Sequence, residues 1–312
     1  MNRTSVLTLG TFDGIHRGHQ AIVRNVRRRA KRLGAQSMVL AFGIPPRHAD
    51  EPWRMPVLLT TREEKLNILS QLGIDHVRIL TFDRKTASTP PERFFLNTIV
   101  RKCGAQEMIV GPRVAFGKNR AGRLAQLRQL GRRYQVRIQL VRNIKGPSTD
   151  ISSRRIRAFL RKGDLHSANL LLGYPYSAVG RVVHGDHRGH HLGFPTANLA
   201  VSADKILPPG VYWVKVLPGH QDVPLSSKAL IRGIDGLCNV GIHPTFTPLS
   251  HEIHCEVFLL GYHKMLYGKT LRVVFLRKIR KEKRFSSAEA LVAQIQRDVA
   301  KTRRWARVFF TK

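Results

Sequence analysis

Residues 10–19, GTFDGIHRGH, place His16 and His19 on either side of Gly18, directly after the apolar run SVLTLG. Imidazole N–H groups can donate to phosphate oxygens, and Gly10, Gly14 and Gly18 let the backbone come close to a nucleotide. A strand ending in glycine, a loop and a helix start at RGHQAIVRNV would aim free amides and a positive dipole end at an anion. A second set lies in GRVVHGDHRGHHLGFPTANL, where Thr196 and Asn198 offer a hydroxyl and an amide carbonyl two residues apart. Such hard oxygen ligands suit a magnesium ion that keeps several waters and bridges phosphates, and the same pair taken alone also reads as the capping Thr and Asn of an ordinary turn after a strand. Gly185, Gly189, Gly193 and Gly241 mark loops able to approach a ligand closely. His184, His187, His190 and His191 have loop spacing and no carboxylate pair or cysteine beside them, which favours phosphate contact or solvent over zinc.

The elements that must hold these residues differ between the two halves. SVLTLG, QAIVRNVRRRAKRLG and QSMVLAFG read as strand, helix and strand, and TREEKLNILSQLG–HVRILTF and PERFFLNTIVRKCG–EMIVG repeat the alternation. This predicts a parallel α/β sheet whose ligands bind at the carboxyl ends of its strands, where GTFDGIHRGH falls. Gly34, Gly73 and Gly104 stand where left-handed helix caps are expected. From about Tyr174 the texture changes to short strands between Gly and Pro: AVGRVVHG, GVYWVKV, LCNVGI, HCEVFLL and LRVVFL. A small antiparallel barrel closed by the helix SSAEALVAQIQRDVAKTRRW is predicted, with domains over 1–173 and 174–312.

At 312 residues the chain suffices for two such domains. It contains no apolar run near the roughly 18 residues of a membrane span, and Cys103, Cys238 and Cys255 lie far apart without CxxC spacing. A reducing cytoplasm is expected, with neither a zinc site nor a disulfide framework. The net charge of +34 is spread out, with 33 basic against 11 acidic residues in 1–173 and 21 against 9 in 174–312. A diffuse excess with only 7% aromatics favours anionic small substrates, with any nucleic-acid binding nonspecific. Oligomeric state is not encoded in any pattern here.

GTFDGIHRGHQ closely resembles the GxFDGxHxGH signature of the bacterial bifunctional riboflavin kinase and FAD synthetase family, and the likeness runs through LTTREEKLNILSQLGIDHV, FGKNRAG, ISSRRIR, PTAN and LYGK over nearly the whole chain. The resemblance implies a Rossmann-like nucleotidyltransferase domain followed by a riboflavin kinase barrel, using ATP, riboflavin, FMN and FAD as substrates and products. It implies that His16 and His19 hold ATP phosphates within a segment including Gly10, Phe12, Asp13, Gly14 and Gly18, and that Ser152, Ser153 and Arg157 form a second phosphate element. Gly185, Gly193 and Thr196 would take ATP in the kinase half, with Thr196 and Asn198 on magnesium. Glu256, upstream of LYGK, would be the general base, and Phe42, Pro45, Phe116, Asn239 and Thr245 would contact flavin.

Three positions depart from the family pattern: Pro46 in FGIPPR replaces the histidine of FxPHP, Arg113 replaces Asp or Asn, and Arg154 replaces threonine. They keep open a riboflavin kinase with a degenerate first domain. The charge, with the runs VRRRAKR and RKIRKEKR, keeps open a polyanion-binding protein on the same scaffold.

Overall fold

Ser5–Gly10 forms β1, buried along almost its whole length, as a central parallel strand covered on both faces should be. The structure, a computed structural model, describes residues 4–43, 58–81, 83–141, 151–185, 192–219, 222–223, 225–226, 230–242, 253–262 and 264–309. Pro45, Pro46, His187, Gly189, His190, His191 and Thr245 lie outside the described residues. The described chain divides into two compact units, Met1–Ser153 and Arg154–Lys312.

In the first unit β1 is followed by α1 (Arg17–Leu33), β2 (Gln36–Phe42), α2 (Arg62–Gln71), β3 (His76–Leu80), α3 (Arg84–Ser88) and α4 (Pro91–Phe94), which continues as a π-helix over Phe95–Lys102. Then come β4 (Ala105–Val110), α5 (Leu124–Arg133) and β5 (Arg137–Leu140). The strands form a parallel sheet in the order β3-β2-β1-β4-β5, with Gly10 opposite Ala41 at the carboxyl end of β1. The winding reverses between β1 and β4, which opens a crevice at that end of the sheet. α1 covers the sheet with Ala21, Val23, Val26 and Ala30, while Arg24 and, in VRRRAKR, Arg27, Arg28, Lys31 and Arg32 are exposed. Gly34, Gly73 and Gly104 all take positive φ, as their cap positions require.

The second unit contains α6, which starts at the boundary and spans Ser153–Lys162, and α7 (Leu165–Leu172). Among the described residues six antiparallel strands follow: β6 (Ser177–Val183), β7 (Thr196–Val201), β8 (Gly210–Pro218), β9 (Ile234–Ile242), β10 (Ile253–Leu259) and β11 (Thr270–Arg280). They close into a barrel in the order β10-β7-β6-β11-β8-β9. The strand absent from the expected five is β7, the PTAN segment itself. Helix α8 (Ala288–Phe309) packs on β9 and is tied to β11 by the Arg280–Asp298 ion pair at 2.8 Å. All three cysteines are free and buried. Cys238 and Cys255, distant in sequence, approach to 3.6 Å between sulfurs inside the barrel, where burial pushes the Cys238 thiol well up.

Candidate functional site

The β1–α1 loop is held in a conformation its sequence would not adopt unaided. Phe12 and Ile15 have φ of 47° and 31°, a region that costs non-glycine residues about 1–3 kcal/mol each. Both side chains are buried, so their packing helps hold the strain. Polar ties complete the hold. The Asp13 carboxylate accepts from the Leu59 and Thr60 amides at 2.8 and 3.2 Å, Gly14 N donates to Thr60 Oγ1 at 3.0 Å, and Ser153 Oγ donates to the Asp13 carbonyl at 2.8 Å. Asp13 thus spends its carboxylate on the neighbouring backbone.

This loop delivers His16 as the N-cap of α1, its Nδ1 accepting from His19 N at 3.3 Å. The two imidazoles stack with centroids 3.7 Å apart, and Phe12 lies against His19 at 5.0 Å. A Cβ on Gly18 would meet the His16 ring at 3.2 Å, so the glycine makes room for the imidazole over the first turn. Burial, aided by the Arg113 charge, pushes His16 down to about 4, and burial with His16, Lys65 and Arg113 nearby holds His19 well below its ordinary value. Both rings are neutral near pH 7. With Nδ1 of His16 accepting, its proton resides on Nε2, leaving a neutral donor.

Sequence reasoning missed Lys65, which is 3% exposed on α2 and donates from Nζ to the Thr11 and Phe42 carbonyls at 2.8 and 3.1 Å. Burial lowers its pKa and the Asp13 carboxylate opposes that shift. It ties the carboxyl ends of β1 and β2 together behind the loop. The signal was present: Lys65 shares a helix face with the buried Ile68 and Leu69, where an apolar residue would be ordinary. Arg113, in the loop after β4, donates from Nη2 to the Ile151 carbonyl at 3.0 Å. Of the remaining predicted residues, Phe42 and Phe116 are packed in the hydrophobic core, Ser152 adjoins Ser153, and Arg157 is buried on α6 in the second unit.

On the barrel, register brings together residues far apart in sequence. Glu256 on β10 lies opposite Asn198 on β7 and Asn239 on β9. Directly opposed side chains start about 5 Å apart at Cβ, so the carboxylate is flanked by two amides. The alternation puts Cys255, Val257, Ala197 and Leu199 in the core and leaves Glu256, Asn198 and Thr196 half-buried on the outer face. The Asn239 Oδ1 is buried without a hydrogen-bond partner among the described residues, an acceptor waiting for a donor. A Cβ on Gly185 would fall 2.1 Å from Asn198 Nδ2, so the bare glycine backbone packs against that amide. His184, the described member of the histidine group, stacks on Tyr267 at 4.2 Å, and Phe194 meets Phe258 edge-on at 5.4 Å. No group of three His, Cys, Asp or Glu among the described residues could hold a metal.

The family model described as FAD synthetase matches residues 1–155, and that described as riboflavin kinase matches 172–306. The bifunctional riboflavin kinase/FMN adenylyltransferase of Escherichia coli (strain K12) is 35% identical over 293 residues, covering 94% of this chain and 90% of the relative. That of Listeria monocytogenes is 33% identical over 311 residues, covering 98% and 93%. Among solved structures, one described as a macrolide-efflux protein from Streptococcus pneumoniae has a TM-score of 0.85 and 30% identity, covering 98% of this chain and 95% of that one. Among the described residues no helix is long and apolar enough to cross a membrane.

Proposed function

The chain belongs to the bifunctional riboflavin kinase/FMN adenylyltransferase family, and on that premise we propose that it phosphorylates riboflavin to FMN on the barrel face and adenylylates FMN to FAD at the His16–His19 pocket. The functional division falls at 173/174. The observation that carries this assignment is where the carboxylates go: Asp13 in the first site is bound to backbone amides, whereas Glu256 in the second stands between two amides, half-buried on the outer face of the barrel.

The two reactions differ in that respect. In FAD formation an FMN phosphate oxygen, ionised near neutral pH, attacks the α-phosphorus of ATP. The bond to the bridging oxygen breaks, and pyrophosphate leaves with the electron pair. No base is required, and catalysis is alignment plus charge stabilisation. His16 Nε2–H and the α1 amides supply neutral donors, with Ser152 and Ser153 of the second phosphate element beside them. Phe42 and Phe116, packed into the core, back the flavin pocket.

In FMN formation the terminal ribityl hydroxyl must lose its proton as it attacks the γ-phosphorus and ADP departs. Glu256 accepts that proton, and Asn239 and Thr245 orient the flavin. Thr196 and Asn198 offer a hydroxyl and an amide oxygen on one face beside a single carboxylate. That donor set is too small for a metal cage and fits magnesium, which brings waters and ATP phosphates of its own. Bound there, magnesium would offset the charge of the phosphates. Gly185 and Gly193 let the loop backbone approach them. The free, buried cysteines suit a reducing cytoplasm.

Incubating the protein with riboflavin, ATP and magnesium and separating flavins over time tests the assignment: FMN rises first and FAD follows. Failure to form FMN overturns the kinase half, and FMN without FAD overturns the other half. Gly185→Ala is expected to keep the fold, because its Cβ displaces only the end of the Asn198 side chain. Kinase kcat/KM should nevertheless fall about 10- to 100-fold, as expected for a misplaced ligand. Equal melting temperatures with unequal FMN rates are the check.

A further inference from the structure

We propose that Arg113 is a catalytic residue of the adenylyl-transfer site, its guanidinium binding the polyphosphate of the nucleoside triphosphate and the pyrophosphate it releases. The inference rests on the assignment of FAD formation to this pocket. The reaction concentrates negative charge on the leaving pyrophosphate, which a cation facing solvent at the crevice would stabilise beyond what neutral donors supply. His16 and His19 are both neutral near pH 7, for the reasons given above. Lys65 is buried and turned towards the Thr11 and Phe42 carbonyls. Arg113 is exposed, follows β4 at the point where the sheet reverses, and acts electrostatically on both imidazoles.

Its attachment leaves it available. One nitrogen donates to the Ile151 carbonyl at 3.0 Å, which leaves most of the five N–H donors of a guanidinium for phosphate oxygens. The same bond fixes the residue just before Ser152 and Ser153, so the cation and these two serines are positioned together. The loop is shaped for this by the turn in which Val114 N donates to the Gly111 carbonyl at 3.2 Å. Arginine at this position is thus a working part of the site, and the departure from the family pattern adds a function that the two histidines cannot supply.

The test compares Arg113→Ala, Arg113→Gln and Arg113→Lys in the full chain, with FMN formation by the barrel as the internal control. FAD formation from FMN and ATP should fall about 100-fold in the Ala and Gln variants, in the range for loss of one charge-stabilising donor. Inhibition by inorganic pyrophosphate should weaken about tenfold or more in both. Lys should recover a large part of each, and FMN formation should not change. Ala or Gln within twofold of the parent on both readouts overturns the proposal. Equal impairment of Ala, Gln and Lys with unchanged pyrophosphate inhibition also overturns it, reducing Arg113 to a tether for Ile151. FAD absent from the parent removes the adenylyltransferase assignment and this proposal with it, whereas FAD from the parent with an unaltered Ala variant removes the proposal alone.

Discussion

Glu256→Gln is expected to lower kcat for FMN formation by about 10²–10⁴, the usual contribution of a positioned general base. Glutamine keeps the size of the side chain and its ability to hydrogen-bond to the flanking amides of Asn198 and Asn239, so the half-buried position on β10 remains filled. What it lacks is an oxygen that can take the ribityl proton. KM for riboflavin and ATP should therefore change little, because the interaction removed belongs to the transition state. FAD formation from supplied FMN should not change, since that reaction takes place on the other unit and needs no base. Steady-state rates with riboflavin and with FMN, measured on one preparation, separate the two. A kinase rate within threefold of the parent would return Glu256 to an ordinary outward strand residue.

The barrel face shows where a linear reading stops. Thr196, Asn198 and Glu256 could be named from their motifs, but the row Asn198–Glu256–Asn239 is a product of register, joining three strands through pairings more than fifty residues apart in the case of Asn198 and Glu256. In the linear chain PTAN reads as a motif, whereas TANLAV is a barrel strand in which polar and apolar side chains alternate outward and inward. Cys238 and Cys255 are distant in the linear chain, and strand pairing makes them neighbours. In the first unit the apolar runs and glycine caps were legible because they are local. α5 and β5 were not, because β5 is a four-residue edge strand with Arg137 and Gln139 facing out. The role of Asp13 was also hidden, since its partners Leu59 and Thr60 are 46 and 47 residues away.

Replacing both His16 and His19 by alanine should abolish conversion of FMN to FAD, by about 10³-fold or more if each donor carries the usual share. The barrel should continue to supply FMN, so FMN accumulates from riboflavin. Loss of the His16 cap alone should cost only about 1 kcal/mol of stability, which His16→Asn, a good cap residue, should restore without restoring the rate. The pH dependence identifies how the imidazoles act. With His16 held near 4 and donating as a neutral ring, its charge does not change between pH 5 and 8. An imidazolium donor would lose activity as pH rises through about 6.5. A neutral donor gives no such loss, and the rate should instead rise as the FMN phosphate loses its second proton near pH ~6 and then level off. That rising limb belongs to the substrate and should persist at the same pH in the residual activity of His16→Asn. A falling limb centred near 6.5 in the parent that disappears in His16→Asn would overturn the neutral-donor reading and make the histidine an acid.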